Sequence, residues 1–506
     1  MNLIDNVRVR KSRDGWKAKA ITRGLELKKL SKREAYYRLK VDNLKNQIKN
    51  MSEEFKAKKR METSLKPQCF QASLSFPKVY AILLVFIAVV SFRSVPKILR
   101  QTQQSFALPF KVPHFTTVIN WCLRVGLAAK QSLSPLKEPW IALIDLSIDV
   151  GLQKMLVVLR VPLSALQKRG SALTLDDCEC CACLLRESWK GEDVADALET
   201  TFAQSGVPVA VLKDQGSELA KGFKIAKKAI KKWTDKGKNS GGEMVSIGDV
   251  GHFAACALKA WSRLQEHYES FVRQVSKSRK IMSLNHFAFL KPPALRTKGR
   301  FMSITALAKW AIKLIPYISE TPLTTADEKF KRIRRHLLKF KENHLFLLDF
   351  CQICTVVDKF LKHLKNYGIN QKNAKEARAI LTELPEKNIV RQKLEAWVHK
   401  TLNIHCRMGI GQTPLPVSTD ILESLFGKFK FILQRSTGKT DFNRTILLIH
   451  ALCGPMNENR VSKALDQVSQ KQLEIWEKEN IFHTQEKKKR NFFSSISNPK
   501  IGEKVA

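Results

Sequence analysis

The stretch that most constrains the fold is Trp140 to Val161, WIALIDLSIDVGLQKMLVVLRV. Two apolar runs, Ile141 to Ile148 and Lys154 to Val161, flank a turn around Asp149, Val150 and Gly151. The pattern predicts a hairpin of two strands built for burial. Within the first run, Asp145 stands between Ile144 and Leu146. A charged carboxylate is costly inside a sheet unless it is paired or bound to a cation. Asp145 is therefore the first candidate site residue, and Asp149 is read as a turn former.

A second acidic residue stands in a similar setting. Val207 to Lys213 reads as an apolar strand that ends at Asp214, and Gln215-Gly216-Ser217 then opens a basic helix over residues 217–232. Glu192 to Gln204 reads as a helix, residues 162–190 leave room for a third strand, and Met244 to Ile247 reads as a short strand ending near Asp249. A helix over His252 to Phe271 follows. Hairpin strands followed by alternating helix and strand predict an α/β fold with a mixed sheet and flanking helices. Two strand-borne aspartates at neighbouring sheet positions can share divalent ions. Either alone is better explained as an ordinary strand-end or turn residue; the pair favours a site.

Around this α/β segment the chain divides by composition. Residues 1–60 carry 19 Lys and Arg against 7 Asp and Glu. Leu27, Leu30, Tyr37, Val41, Leu44, Ile48 and Met51 fall near heptad positions there, with Glu34 interrupting the seam. That predicts a basic helical arm, either laid along phosphates or simply solvated, with a short coiled coil as a further option. Residues 77–130 read as a small helical unit. Within it, a helix starting near Thr116 presents Val118, Ile119, Cys122, Leu123 and Val125 on one side and Asn120 and Arg124 elsewhere. A helix-turn-helix recognition helix is built this way, as is any three-helix bundle. Residues 140–271 form the first part of the core, residues 272–415 a helical block without strand periodicity, and residues 416–474 a helical completion. Residues 475–506 form a charged, partly disordered tail.

A formal net charge of +42 over 506 residues favours a polyanionic partner, nucleic acid before an anionic membrane surface. The longest apolar run, Val79 to Val90, falls short of the roughly 20 residues that a spanning helix needs, so it reads as a buried helix. Eleven cysteines are too few and too unevenly placed for a disulfide framework. Cys178, Cys180, Cys181 and Cys183 are too closely spaced to share one zinc and predict a thiol-lined helix or strand. Cys351 and Cys354 read as core packing, with His363 the one conceivable further ligand. Ser436 to Thr440, STGKT, lacks the upstream glycine of a phosphate-binding loop, so no nucleotide cofactor is expected. These features predict a soluble, intracellular protein without a membrane span.

Four segments in order, IALIDLSIDVGLQKMLVVLRV, PVAVLKDQGSELAKG, VSIGDVGHFAACALK and STDILESLFGKFK, resemble the catalytic core of DDE-type transposases. These belong to the ribonuclease H-like (retroviral integrase) superfamily, and the resemblance covers roughly residues 77–450. It implies a first aspartate on the central first strand (Asp145), a second ending the fourth strand (Asp214, in Asp-Gln-Gly) and a third carboxylate on a helix after the fifth strand (Glu423). It also implies that all three hold two Mg²⁺ or Mn²⁺ ions. Some bacterial members carry a helical insertion before that glutamate, and the 173 residues between Asp249 and Glu423 match such an insertion. Glu218, a competitor for the third position, lies only four residues after Asp214.

The function this implies is a DNA transposase that cuts the ends of a mobile element and joins them to target DNA. Holding two ends together implies a homodimer or larger assembly on DNA, and the resemblance implies a bacterial, cytoplasmic protein that is nucleoid-associated when bound to DNA. Lys213, Lys221, Lys224, Lys428 and Lys430 are candidate phosphate contacts, with Asn120 and Arg124 on the possible recognition helix. Asp249 and His252 either tune the site or contact DNA, or serve as a helix cap and a packed or surface histidine. A structure-specific nuclease on the same fold and a non-catalytic, decayed DNA-binding protein are the competing readings.

Overall fold

The computed structural model describes residues 3–64, 76–150, 153–170, 172–236, 244–283, 288–295, 301, 304–320, 340, 344–437, 444–481, 489–490 and 492–494. Two units separate, residues 1–73 and 74–506. The first contains one continuous helix, α1 (Leu3–Ser64). Of the apolar seam read from the sequence, Leu27, Leu30, Tyr37, Val41 and Leu44 are exposed, and the side chains of Ile48 and Met51 lie outside the described ones.

The second unit begins with α2 (Phe76–Phe86), α3 (Val95–Ser105) and α4 (Phe115–Gln131). The apolar run Val79 to Val90 falls on α2 and the residues just after it, and Val79, Ala81, Ile82, Val85 and Phe86 are buried. No helix among the described residues is long and apolar enough to cross a membrane. Then come β1 (Trp140–Val150), β2 (Gln153–Pro162), α5 (Leu163–Arg169), β3 (Glu179–Arg186), α6 (Gly191–Ser205), β4 (Ala210–Lys213), α7 (Ser217–Lys236) and β5 (Val245–Gly248). The sheet order is β3-β2-β1-β4-β5. β1, β2 and β3 run antiparallel, while β4 pairs parallel with β1 and β5 parallel with β4. The hairpin thus forms with β1 at the centre. This mixed sheet with many helices around it is consistent with a ribonuclease H-like core carrying helical insertions.

Side-chain alternation sorts the sheet into two faces. Trp140, Ala142, Ile144, Leu156, Val158 and Val211 pack on one side, against Val194, Leu198 and Phe202 of α6 and Leu219, Phe223 and Ile230 of α7. Ile141, Leu143, Val157, Leu159, Ala210, Leu212 and Ile247 point the other way into the larger core. β1 extends through Asp149, which the sequence placed in the turn, with a register irregularity between Ser147 and Val150. The turn residues 151–152 lie outside the described residues, as does the glycine-rich turn at 237–243.

The cysteine cluster is a strand. On β3 the register shifts between Val158 and Leu159, where Leu159 pairs with Cys180 and Val158 with Ala182, so Cys181 is an extra, bulged residue. The bulge lets Cys180 and Cys183 join the larger core while Cys181 and Ala182 join the smaller one. Burial pushes the thiols of Cys178, Cys181 and Cys183 up to about 12, which keeps them protonated.

The helix expected over His252 to Phe271 divides into α8 (Val250–Ser262) and α9 (Tyr268–Ser283). The block that follows supplies α10 (Ile304–Glu320), α11 (His344–Tyr367), α12 (Gln371–Leu381) and α13 (Ile389–Met408). Among its described residues the one β feature is a bridge between Ile369 and Leu415. Trp261 of α8 stacks on Phe346 and Phe350 of α11, and Phe271 packs edge-on against Phe346, which anchors the block to the core. Cys351 donates to Ala308 O and His363 faces Asn373 O, so these two groups serve helix packing apart from each other. The chain closes with α14 (Asp420–Thr437), α15 (Leu447–Leu452), α16 (Glu458–Gln467) and α17 (Gln470–Asn480). Residues 438–443, including the end of the STGKT segment, lie outside the described residues.

Val118, Cys122, Leu123, Val125, Gly126, Leu127 and Ala128 of α4 are buried. The helix packs on α15 so closely that a Cβ at Gly126 would collide with the Leu447 carbonyl. The Arg124 guanidinium donates to Leu465 O and Val468 O at the end of α16, and the Asn120 side-chain oxygen is buried. Arg124, expected to contact DNA, instead joins α4 to the end of α16. Both arrangements require an apolar stripe with polar residues beside it, so the sequence pattern alone fits either one.

Candidate active site

The last ladder row across the parallel strands joins Ile144 of β1, Lys213 of β4 and Gly248 of β5. One residue further along each strand stands an aspartate: Asp145, Asp214 and Asp249. Adjacent strands lie roughly 4.8 Å apart, so the three backbones form an acidic row at the carboxyl edge of the sheet. By alternation all three share the face of Leu143, Leu212 and Ile247. α14 covers that face beside β1, burying Leu422, Leu425, Phe426 and Phe429 and leaving Glu423 exposed.

Asp145 is partly buried, and its carboxyl is pushed up to about 6. Burial is the largest cause and the charge of Asp214 comes next; the Leu146 backbone and His252 pull the other way, and Glu423 adds to the rise. A carboxyl moved from 3.8 to about 6 is worth on the order of 3 kcal/mol. No ion pair of Asp145 with a lysine or arginine offsets it among the described contacts. Asp145, Asp214 and Glu423 therefore share one electrostatic neighbourhood. Asp214 is itself turned by its own loop: its Oδ1 accepts from Gly216 N at 2.9 Å. A Cβ at Gly216 would stand 3.1 Å from that oxygen, so the glycine keeps space open beside the carboxylate.

Asp249 is treated differently. It is 2% exposed. Its Oδ1 accepts from His252 N at 2.7 Å and faces His252 Nδ1 at 3.1 Å, which caps α8. Its Oδ2 accepts from Thr419 N at 2.8 Å and Thr419 Oγ1 at 3.1 Å. Burial works to raise its carboxyl, but the hydrogen bonds from His252 and Thr419 outweigh it and hold the group below the ordinary range. His252 rises above the usual histidine range through its bond to Asp249, against burial, with further help from Asp214 and Asp145. The half-exposed imidazole thus joins the capped and the crowded carboxylates.

The lysines spread out. Lys213 is buried, with its ammonium over the Phe223 ring and 3.3 Å from Asp214 O. Burial lowers it first, Asp214 opposes that, and Lys400 of α13 lowers it further. Buried side-chain packing, not an open phosphate contact, is what the structure gives Lys213. Lys221 pairs with Glu192 at 2.7 Å, both well exposed, and Lys224 is exposed on the same helix. Lys428 lines a cavity of about 420 Å³ with Ser424, Asp420, Lys365 and Thr174, while Lys430 lies elsewhere on α14 and is half-buried. Glu218 sits at the start of α7, fully exposed and bonded to Ser217.

Two contributors were not apparent from sequence. Lys400 and Trp397 reach the strand ends from the helical block, Trp397 Nε1 approaching Gly248. No local pattern marks them. Thr419 had a signal, since Ser418-Thr419-Asp420 opens a helix as a capping sequence does, but its partner 170 residues away did not.

The oxygen donors of Asp145, Asp214 and Glu423 are chemically suited to Mg²⁺ or Mn²⁺, and their mutual repulsion is of the kind a divalent cation removes. Among the described residues no group of three or more His, Cys, Asp or Glu is close enough to hold one ion. No protein-family model matches the chain, and no curated protein matches it. Among solved structures, the Drosophila P element transposase strand transfer complex is similar at a TM-score of 0.35 and 12% identity, over 81% of this chain and 100% of that one.

Proposed function

We propose that this protein is a metal-dependent polynucleotidyl transferase of the DDE type, a transposase that cleaves DNA strands at the ends of a mobile element and joins them to target DNA. The observation that carries this reading is the raised carboxyl of Asp145, crowded by Asp214 and Glu423 at the carboxyl edge of the central strand. Crowding of this kind opposes folding and is typical of sites kept for chemistry. A net charge of +42 supplies attraction for a polyanion.

Asp145, Asp214 and Glu423 would hold the divalent ions, which when bound supply Lewis-acid stabilisation of the attacking and leaving oxygens. The chain's own residues do the remaining work. The Asp214–Gly216 turn orients one carboxylate, and α14 brings Glu423 to the edge of β1. Lys428, on the same helix, offers charge to a phosphate backbone. A homodimer or larger assembly on DNA would bring two such sites to two ends, and the basic α1 is the natural arm for phosphates outside the core.

The absence of a three-ligand group among the described residues favours one alternative, a DNA-binding protein that has lost catalysis. The deciding experiment is strand cleavage and joining on DNA flanking the gene, with Mg²⁺ or Mn²⁺, comparing the wild-type chain with Asp145→Asn. Metal-dependent cleavage that Asp145→Asn abolishes supports the proposal. Cleavage without joining would identify the structure-specific nuclease, and DNA binding with no cleavage in either metal would identify the decayed protein.

A further inference from the structure

After β5 the chain leaves the core for the helical block and returns at residue 415. A carboxylate on the returning segment can take part in chemistry at β1 only if its helix starts at a fixed place. The bridge between Ile369 and Leu415 guides the return. Two contacts then fasten it to the end of β5: Val250 N donates to Val417 O at 2.8 Å, and Asp249 Oδ2 receives both Thr419 N and Thr419 Oγ1. Thr419 O in turn accepts from Leu422 N at 2.9 Å, so the residue held by Asp249 is the first anchor of α14.

We infer that Asp249 is a positioning residue that sets the start of α14, and with it Glu423, in register with Asp145 and Asp214. This rests on the function proposed above. One carboxylate joins two helix starts at once: Oδ1 caps α8, and Oδ2 caps the segment opening α14. Both oxygens are occupied, so Asp249 is not a fourth metal-binding carboxylate despite sharing the acidic row. Its buried charge is stabilised by donors drawn from both sides of the insertion, and a hydrogen bond to a charged acceptor is about twice as strong as a neutral one. The device tolerates a large insertion because the register of α14 depends on residues 417–419 and not on the length of the intervening chain.

Asp249→Asn separates the two arms. Asparagine caps a helix as well as aspartate does, so its oxygen retains the His252 N–H, and an NH₂ group then opposes the Thr419 N–H. Amide hydrogen exchange of the full chain, without DNA or metal, is expected to accelerate about 10- to 100-fold over residues 417–423, the loss of one charge-assisted bond. Residues 250–262 and β1 should remain unchanged. Thr419→Val, which removes the hydroxyl donor alone, is expected to give a smaller acceleration, and Thr419→Ser none. Unchanged exchange over 417–423, or equal loosening of α8, overturns the inference.

Turnover supplies the second readout. With Mg²⁺ and the flanking DNA, Asp249→Asn should lower kcat about 10- to 100-fold with KM for DNA unchanged, Thr419→Ser should retain wild-type kcat, and Asp145→Asn should sit at background. Loosened exchange with unchanged kcat also overturns the positioning role. A wild-type chain inactive in both metals would sink the proposed function and the positioning role with it, while the exchange experiment still decides whether Asp249 fastens the segment.

Discussion

Asp145 and Asp249 occupy equivalent places in one row of one sheet, two strands apart, yet the structure pushes their carboxyls in opposite directions. Asp249 is the more deeply buried, and its carboxyl is held low because four contacts from His252 and Thr419 meet it. Asp145 is less buried, yet burial raises its carboxyl first and the charges of Asp214 and Glu423 add to the rise, with only the Leu146 backbone and His252 to oppose them. Burial alone therefore does not decide the fate of a buried charge; the donors around it do. One end of the row is satisfied and holds the fold together. The other keeps a carboxyl whose burial and acidic neighbours are not offset.

That contrast breaks most sharply under substitution. Asp145→Asn is expected to lower metal-dependent cleavage by roughly 1000-fold, the scale of several kcal/mol of lost charge stabilisation. The same change should stabilise the chelator-treated chain at pH 7 by on the order of 3 kcal/mol, read by denaturant unfolding. The sign follows from a folded value of about 6 above the ordinary 3.8: protonation favours the folded state. The stabilisation should therefore grow as pH rises from about 3.8 to about 6 and vanish below that window. A variant no more stable than wild type at pH 7 would remove that argument.

Asp249→Ala should act in the opposite sense. It leaves the N–H groups of His252 and Thr419 without acceptors and removes a helix cap, so stability should fall by about 2–4 kcal/mol in the same unfolding experiment. Equal shifts of one sign in Asp145→Asn and Asp249→Ala would erase the distinction between the two ends of the row.

A comparable logic applies to His450, buried against β3 with Nδ1 at 3.1 Å from Cys180 O. Burial, aided by Lys130, brings it down to about 3. The unfolded chain then binds the extra proton, so stability present above about pH 6.5 is lost as pH falls toward 3. His450→Gln should flatten acid unfolding over that window, and an unchanged acid profile would mean that the imidazole is already compensated.

The smallest effect belongs to the surface. Lys221→Ala breaks an exposed pair with Glu192 and should leave the melting temperature unmoved. If Lys221 contacts a phosphate, the salt dependence of DNA binding should weaken by about one unit of slope. A shift in melting temperature without a change in slope would assign the residue to the fold.

Much of this architecture is legible in local patterns. Two apolar runs on either side of a turn in the Trp140 to Val161 stretch encode the hairpin, with Asp145 inside the first of them. The abrupt end of an apolar run before Asp214 encodes a strand end. Other features had no local signature. The bulge at Cys181 depends on pairing with Leu159 and Val158. The packing role of Arg124 depends on carbonyls more than 340 residues away. The short run before Asp249 suggested a strand and a cap, but nothing in it announced Thr419.

The division has a physical basis. Periods of 2 and 3.6 residues, caps and breakers act between neighbours along the chain, and the sequence by itself determined these: a mixed sheet, helices around it, one aspartate inside the first strand and another just past the fourth. Which charges end up beside one another depends on how the chain returns after a long excursion. Only the tertiary structure decided that α14 covers the acidic face, that Lys400 approaches Lys213, and that Asp249 fastens the returning segment while Asp145 remains crowded.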